Sequence, residues 1–254
     1  MLIDELLTYL FDGQPHLLAT PMATWLAASR RYTDFVTTYR DKIRKKLRTM
    51  QDQERLYDLQ LELETAYLLL QERSLSVVYE PQLGGPLRAP DFAVTFNTSV
   101  VFMVEVTRLR MTQDDIRGRI QTQGQASSQQ AAPRSPLEER LADAVCSKLG
   151  QLQPQRSNIL LVGIEASNFI QGDLRAAMLH LQQRAERSDA TFVQRYGFRD
   201  RADFFQHYLR LSELLVRGPR LEAGEPVIGW VNPQAKYPLP SRVRTALYRS
   251  QKGD

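Results

Sequence analysis

Two carboxylates on either side of a short turn are the residues of this 254-residue chain with the most chemistry to offer. Asp91 opens one apolar run and Glu105 lies near the end of the next, and Asn97-Thr98-Ser99 joins them. A hairpin symmetric about Thr98 sets position 91 opposite position 105, with Cβ atoms about 5 Å apart. Like charges at that distance repel, so the pair needs a proton, a basic side chain or a divalent metal ion beside it.

Two helices bring further candidates. Glu62 shares a face with Leu59, Leu63, Ala66 and Leu70 by the 3.6-residue period, which puts a carboxylate in an apolar stripe. It needs a partner there, unless it reaches water at the stripe's edge; Glu64, off to the side, is the alternative helical acid. Lys148 sits beside Leu141, Ala144 and Leu152, which turns it inward; the alternative is a lysine snorkelling from a helix C-terminus. Gln151, about one turn further on, can add a hydrogen bond.

The elements that carry these residues follow from periodicity and punctuation. Helices are predicted over residues 1–12, from Pro21 to about Arg48, and from about Gln51 to Arg73. A strand at Leu75–Glu80 and the Gly84-Gly85-Pro86 turn lead into the hairpin at 90–108. In its second strand Val101, Met103, Glu105 and Thr107 point one way, and Phe102, Val104, Val106 and Arg108 the other. Residues 111–135 are rich in Gln, Ser and Ala and read as a loop, either functional or simply disordered. A helix from Pro136 to about Gly150 follows. Asn158–Glu165 is a near-continuous apolar run, as a strand covered on both faces requires. A helix at 170–186, a short helix within 191–207, strands at 209–216 and 227–231, and a last helix from Ser241 complete an α/β pattern.

Composition narrows the classes. No run approaches the length of a membrane span. The first residues carry acids where a secretion signal is basic, and the lone Cys146 excludes an internal disulfide, so a cytoplasmic setting is expected. Three scattered histidines make no ligand spacing. The net charge is +4 with a pI near 9.2. Between Arg30 and Arg48 stand eight basic residues against two acids. Arg40, Lys42, Arg44, Lys45, Lys46 and Arg48 could meet a phosphate backbone, or simply form a solvated helix face that complements the helix dipole.

The order of helix with Glu62, strand, strand with Pro90-Asp91, strand with Glu105-Val106-Thr107, helix and apolar strand resembles the PD-(D/E)XK nuclease superfamily, over roughly Gln51–Ala166. The resemblance implies a restriction-endonuclease-like core, a mixed sheet flanked by helices, at 51–254, with residues 1–50 as an N-terminal helical extension. It implies that Asp91, Glu105, the Val106 carbonyl and Glu62 hold Mg²⁺ or Mn²⁺, and that the activity is metal-dependent cleavage of DNA phosphodiester bonds, as in an endonuclease. The family's motif lysine is replaced here by Thr107; Lys148 is the candidate to take over that catalytic role. A catalytically degenerate member, kept as a nucleic-acid-binding or structural module, is the alternative. No membrane partner is expected, and the oligomeric state, a homodimer included, is left open.

Overall fold

The computed structural model describes residues 2–50, 52–84, 88–109, 136–165, 167–187, 190–218, 220–221 and 227–252. The loop expected at 111–135 lies outside the described residues, as do Gly85 and Pro86 of the expected turn. The protein is α/β. Six strands form one mixed sheet in the order β1–β2–β3–β4–β6–β8, flanked by helices. These strands are β1 (Leu75–Tyr79), β2 (Phe92–Phe96), β3 (Val100–Leu109), β4 (Ser157–Ile164), β6 (Leu211–Arg217) and β8 (Val227–Val231). A second, two-stranded sheet pairs β5 (Ser167–Phe169) with β7 (Arg220–Leu221), and no sequence signal announces it.

The chain divides into two compact units. The first comprises Met1–Pro81, Asp91–Val101 and Ser241–Asp254. It holds α1 (Ile3–Phe11), α2 (Ala19–Ala28), α3 (Arg30–Thr49), α4 (Gln53–Gln71), β1, β2 and α9 (Ser241–Ser250). Residues 1–50, read from sequence as an extension, fall in this unit together with α4, β1 and α9. The single helix predicted from Pro21 to about Arg48 is in fact two. Ser29 breaks it with extended backbone (φ −141°, ψ 110°), and its side chain accepts a hydrogen bond from the Tyr32 N–H as the N-cap of α3. The C-terminus of α4 leaves carbonyls without helical partners. Arg31 answers them, donating to the carbonyls of Leu70 (2.6 Å) and Glu72 (2.9 Å), and also to that of Leu75. Antiparallel pairing of β1 with β2 sets Tyr79 opposite Phe92, and their rings stack.

The second unit comprises Gln82–Pro90 and Phe102–Pro240. Its helices are α5 (Pro136–Leu149), α6 (Gln171–Glu186), α7 (Ala190–Arg195) and α8 (Arg201–Tyr208). Strand β4 runs parallel to β3 on one side and to β6 on the other, and β8 returns antiparallel. The apolar run that marks β4 is buried as expected from Asn158 onward. Leu160, Val162 and Ile164 face one way and pack with Leu137, Leu141, Val145 and Leu149 of α5 and with Leu174, Met178 and Leu181 of α6. Cys146 belongs to this core, and burial pushes its thiol pKa well up. Asn158, 1 % exposed, seals the start of β4: its Nδ2 donates to the carbonyls of Gln153 and Arg156 (both 2.9 Å), and its Oδ1 accepts from the Gln153 N–H. Among the described residues no helix is long and apolar enough to cross a membrane.

Candidate active site

In the second unit the strand register decides which residues face α5. Glu105 aligns with Leu160, and Thr107 with Val162, so both share the face that α5 and α6 cover. Lys148 stands in the last turn of α5, next to Leu149 of the core, and its ammonium suits that end of the helix dipole. The consequence is a direct ion pair: Lys148 Nζ donates to Glu105 Oε1 at 2.7 Å. It is well sheltered, with side-chain exposures of 16 % for Lys148 and 4 % for Glu105. Three positions beyond Glu105, Arg108 points to the other side, as its position predicts, and pairs with Glu165. Val106 aligns with Leu161 and is buried on that opposite face. Gln151 follows α5, its N–H donating to the Lys148 carbonyl at 2.9 Å, while its Oε1 is buried and has no hydrogen-bond partner among the described residues.

The first unit holds a different arrangement. Glu62 is indeed turned toward partners: it accepts from Lys46 Nζ and from the Tyr79 hydroxyl, each at 2.8 Å. Lys46 reaches Glu80 as well, at 2.6 Å, and Lys42 reaches Glu80 at 3.2 Å. Lys46 also lies 4.8 Å from the centre of the Tyr79 ring, a cation–π placement. Burial opposes charge on Lys46, yet Glu62 and Glu80 outweigh it and raise its pKa. Glu80 is the mirror case: burial alone raises its pKa, but Lys46 and Lys42 bring it below the usual carboxylate value. Burial, and then the Glu62 charge, push the Tyr79 hydroxyl pKa far up. Asp91 is 4 % exposed and its carbonyl accepts from the Glu80 N–H at 2.8 Å.

The turn after β2 differs from the symmetric one expected. Asn97 and Thr98 both have positive φ (50° and 83°), and the Ser99 N–H donates to the Phe96 carbonyl. This is the two-residue hairpin turn whose twist matches that of the strands. Its centre lies between Asn97 and Thr98, not on Thr98, so Phe96 and Ser99 are the flanking pair.

The basic cluster of α3 spends most of its charge inside the protein. Arg44 and Arg48 both bind Asp12, with Arg48 at 2.8 Å, and hold its pKa down at about 2. Lys42 and Lys46 serve Glu80 and Glu62. Arg40 lies 5.5 Å from the Tyr9 ring, and Lys45 is exposed. None of these partners is near in sequence, which is why the cluster looked like an open cationic face.

Sequence reasoning passed over Glu80, which looked like a strand-end acid, and Glu213. The latter is fully buried on β6. An acid inside the apolar run Leu211–Val216 was the signal that could have found it. Among the described residues no group of three or more His, Cys, Asp and Glu side chains is gathered for a metal ion. The Glu105 carboxylate and the Val106 carbonyl, two of the predicted ligands, are oxygen donors of the kind Mg²⁺ takes. No family model, no curated protein and no solved structure matches the chain.

Proposed function

We propose that the protein is a Mg²⁺- or Mn²⁺-dependent nuclease hydrolysing DNA phosphodiester bonds in the cytoplasm, on a restriction-endonuclease-like core. The observation that carries this reading is the sheltered pair of Glu105 and Lys148, a strand carboxylate met by a lysine from the following helix. That is the arrangement the motif requires once Thr107 has taken the place of its lysine. Glu105 and the Val106 carbonyl would hold the cation, and the resemblance gives Asp91 and Glu62 ligand roles as well. A divalent cation held by these residues would supply Lewis-acid stabilisation of the charge that develops on the phosphate. Lys148, bonded to Glu105, brings a positive charge to the phosphoryl oxygens as charge builds on them. Water oxygen attacks phosphorus in line and gives up a proton to solvent, the P–O bond to the leaving nucleotide breaks, and the leaving oxygen takes a proton from solvent.

The test is cleavage of plasmid and single-stranded DNA by the full chain with Mg²⁺ or Mn²⁺. Glu105→Gln and Lys148→Ala should each lower the rate by 10²-fold or more. Equal cleavage by wild type and both variants overturns the assignment.

One observation favours a second reading, a degenerate member of the same fold that binds or scaffolds. Glu62 already has two donors, Lys46 and Tyr79, which leaves it less to give a metal. Calorimetric titration with Mn²⁺ separates the two: binding that Glu105→Ala removes supports the nuclease, and no binding by well-folded protein supports the scaffold.

A further inference from the structure

The lysines of α3 were candidates for contact with nucleic acid, and their geometry gives them another task. Glu80 is the residue after β1, with φ +42°, a left-handed conformation that a residue with a Cβ adopts only under constraint. Two interactions impose it. Its N–H donates to the Asp91 carbonyl at 2.8 Å, which carries the β1–β2 ladder one step past Tyr79 and Phe92. Its carboxylate is gripped by Lys46 at 2.6 Å and Lys42 at 3.2 Å, residues one helical turn apart on α3. Lys42 Nζ also lies 3.5 Å from the carbonyls of both Tyr79 and Glu80. Lys46 is itself fixed by Glu62, and Glu62 by the Tyr79 hydroxyl. Every side chain in this set thus bears on one strand corner, and the Glu80 N–H at that corner bonds across the sheet to the Asp91 carbonyl.

We propose that Glu80, Lys42 and Lys46 are positioning residues that hold the Asp91 backbone in place, so that Asp91 enters its strand at a fixed angle. The proposal rests on the nuclease reading for the use made of Asp91, but the clamp itself stands on geometry. A network present only for stability would also tie α3 to β1; it would have no need to force a residue with a Cβ into the left-handed region. Glycine at position 80 separates the two, because it removes the grip while making the backbone conformation easy.

The experiment uses the full chain and compares Glu80→Gly, Lys46→Met and Glu80→Gln by amide hydrogen exchange, thermal midpoint and Mn²⁺ titration. In Glu80→Gly the midpoint should stay within a few degrees of wild type, while the residue-80 amide exchanges at least tenfold faster. Lys46→Met should speed the same amide, and Glu80→Gln, which still accepts hydrogen bonds, should restore much of the protection. Where wild type binds Mn²⁺, the first two variants should weaken it about tenfold. Unchanged exchange at residue 80 in both Glu80→Gly and Lys46→Met overturns the clamp. Absence of Mn²⁺ binding in wild type overturns the metal reading alone, since the exchange result still decides the clamp.

Discussion

Lys46 and Lys148 are both drawn to a carboxylate, and the difference between their surroundings separates a shared network from an isolated pair. Lys46 lies in a shared network of two lysines, two glutamates and a tyrosine, with Glu80 30 % exposed at its edge. Each member has a second partner, so no single loss strands a charge. Among the described residues Lys148 and Glu105 pair only with each other, inside the second unit, with the carboxylate almost wholly out of water. A buried pair of that kind adds little net stability, because desolvation offsets the attraction.

The largest expected effect tests this contrast directly. Lys148→Met leaves Glu105 buried without its cation and should cost about 3 kcal/mol in urea unfolding. Adding Glu105→Leu should recover most of that loss. A cost below about 1 kcal/mol for the single variant would mean that the pair is not the buried one described. Lys46→Met should cost less, about 1–2 kcal/mol, because Tyr79 still serves Glu62 and Lys42 still serves Glu80. Equal costs at positions 46 and 148 would erase the distinction.

Acid and alkali should sharpen the first unit's character. Glu80 has a lowered pKa when folded, so its contribution is present above the ordinary value of 4.5 and is lost as pH falls through the folded value. Asp12 behaves alike, with its loss extending from 3.8 down to about 2. Lys46 has a raised pKa, so its contribution is full below 10.5 and is lost as pH rises through the folded value. Unfolding midpoints measured across pH should form a plateau from about pH 7, above the ordinary value of His16, whose pKa burial lowers, to about pH 9, where unfolding begins to favour ionisation of the Cys146 thiol and then of Tyr32 and Tyr79. Lys46→Met should remove only the lysine's share of the alkaline fall, and Asp12→Asn should flatten the lowest part of the acid one. The smallest effect belongs to the surface of the second unit. Arg195, 61 % exposed on Asp143, should cost under about 0.5 kcal/mol when changed to Ala, because Tyr196 still donates to that carboxylate.

Local pattern carried the elements well, and partners far apart in sequence carried what it missed. The β4 run, the α4 stripe and the inward turn of Lys148 are all readable because each depends on periodicity within one element. The break at Ser29 was hidden because α2 and α3 share an apolar pattern across it, and only the serine's capping role divides them. The β5–β7 pair is too short to show a period. Asp12 with Arg44 and Arg48, and Glu80 with Lys42 and Lys46, are joined by packing over more than thirty residues of sequence. No local rule assigns such partners, so the cationic run of α3 reads as open charge until its acids are seen. The turn at Asn97-Thr98 is a closer miss: its composition was legible, but its centre depends on two positive φ angles that Thr98, being β-branched, does not advertise.

Cys146 gives the molecule its own clock. It is the only thiol in the chain, it is 1 % exposed among the α5–α6 core, and its raised pKa leaves almost no thiolate to react. Alkylation at that sulfur must wait for the second unit to open. The rate of labelling in native buffer therefore counts openings of that unit, one molecule at a time, without any engineered tag.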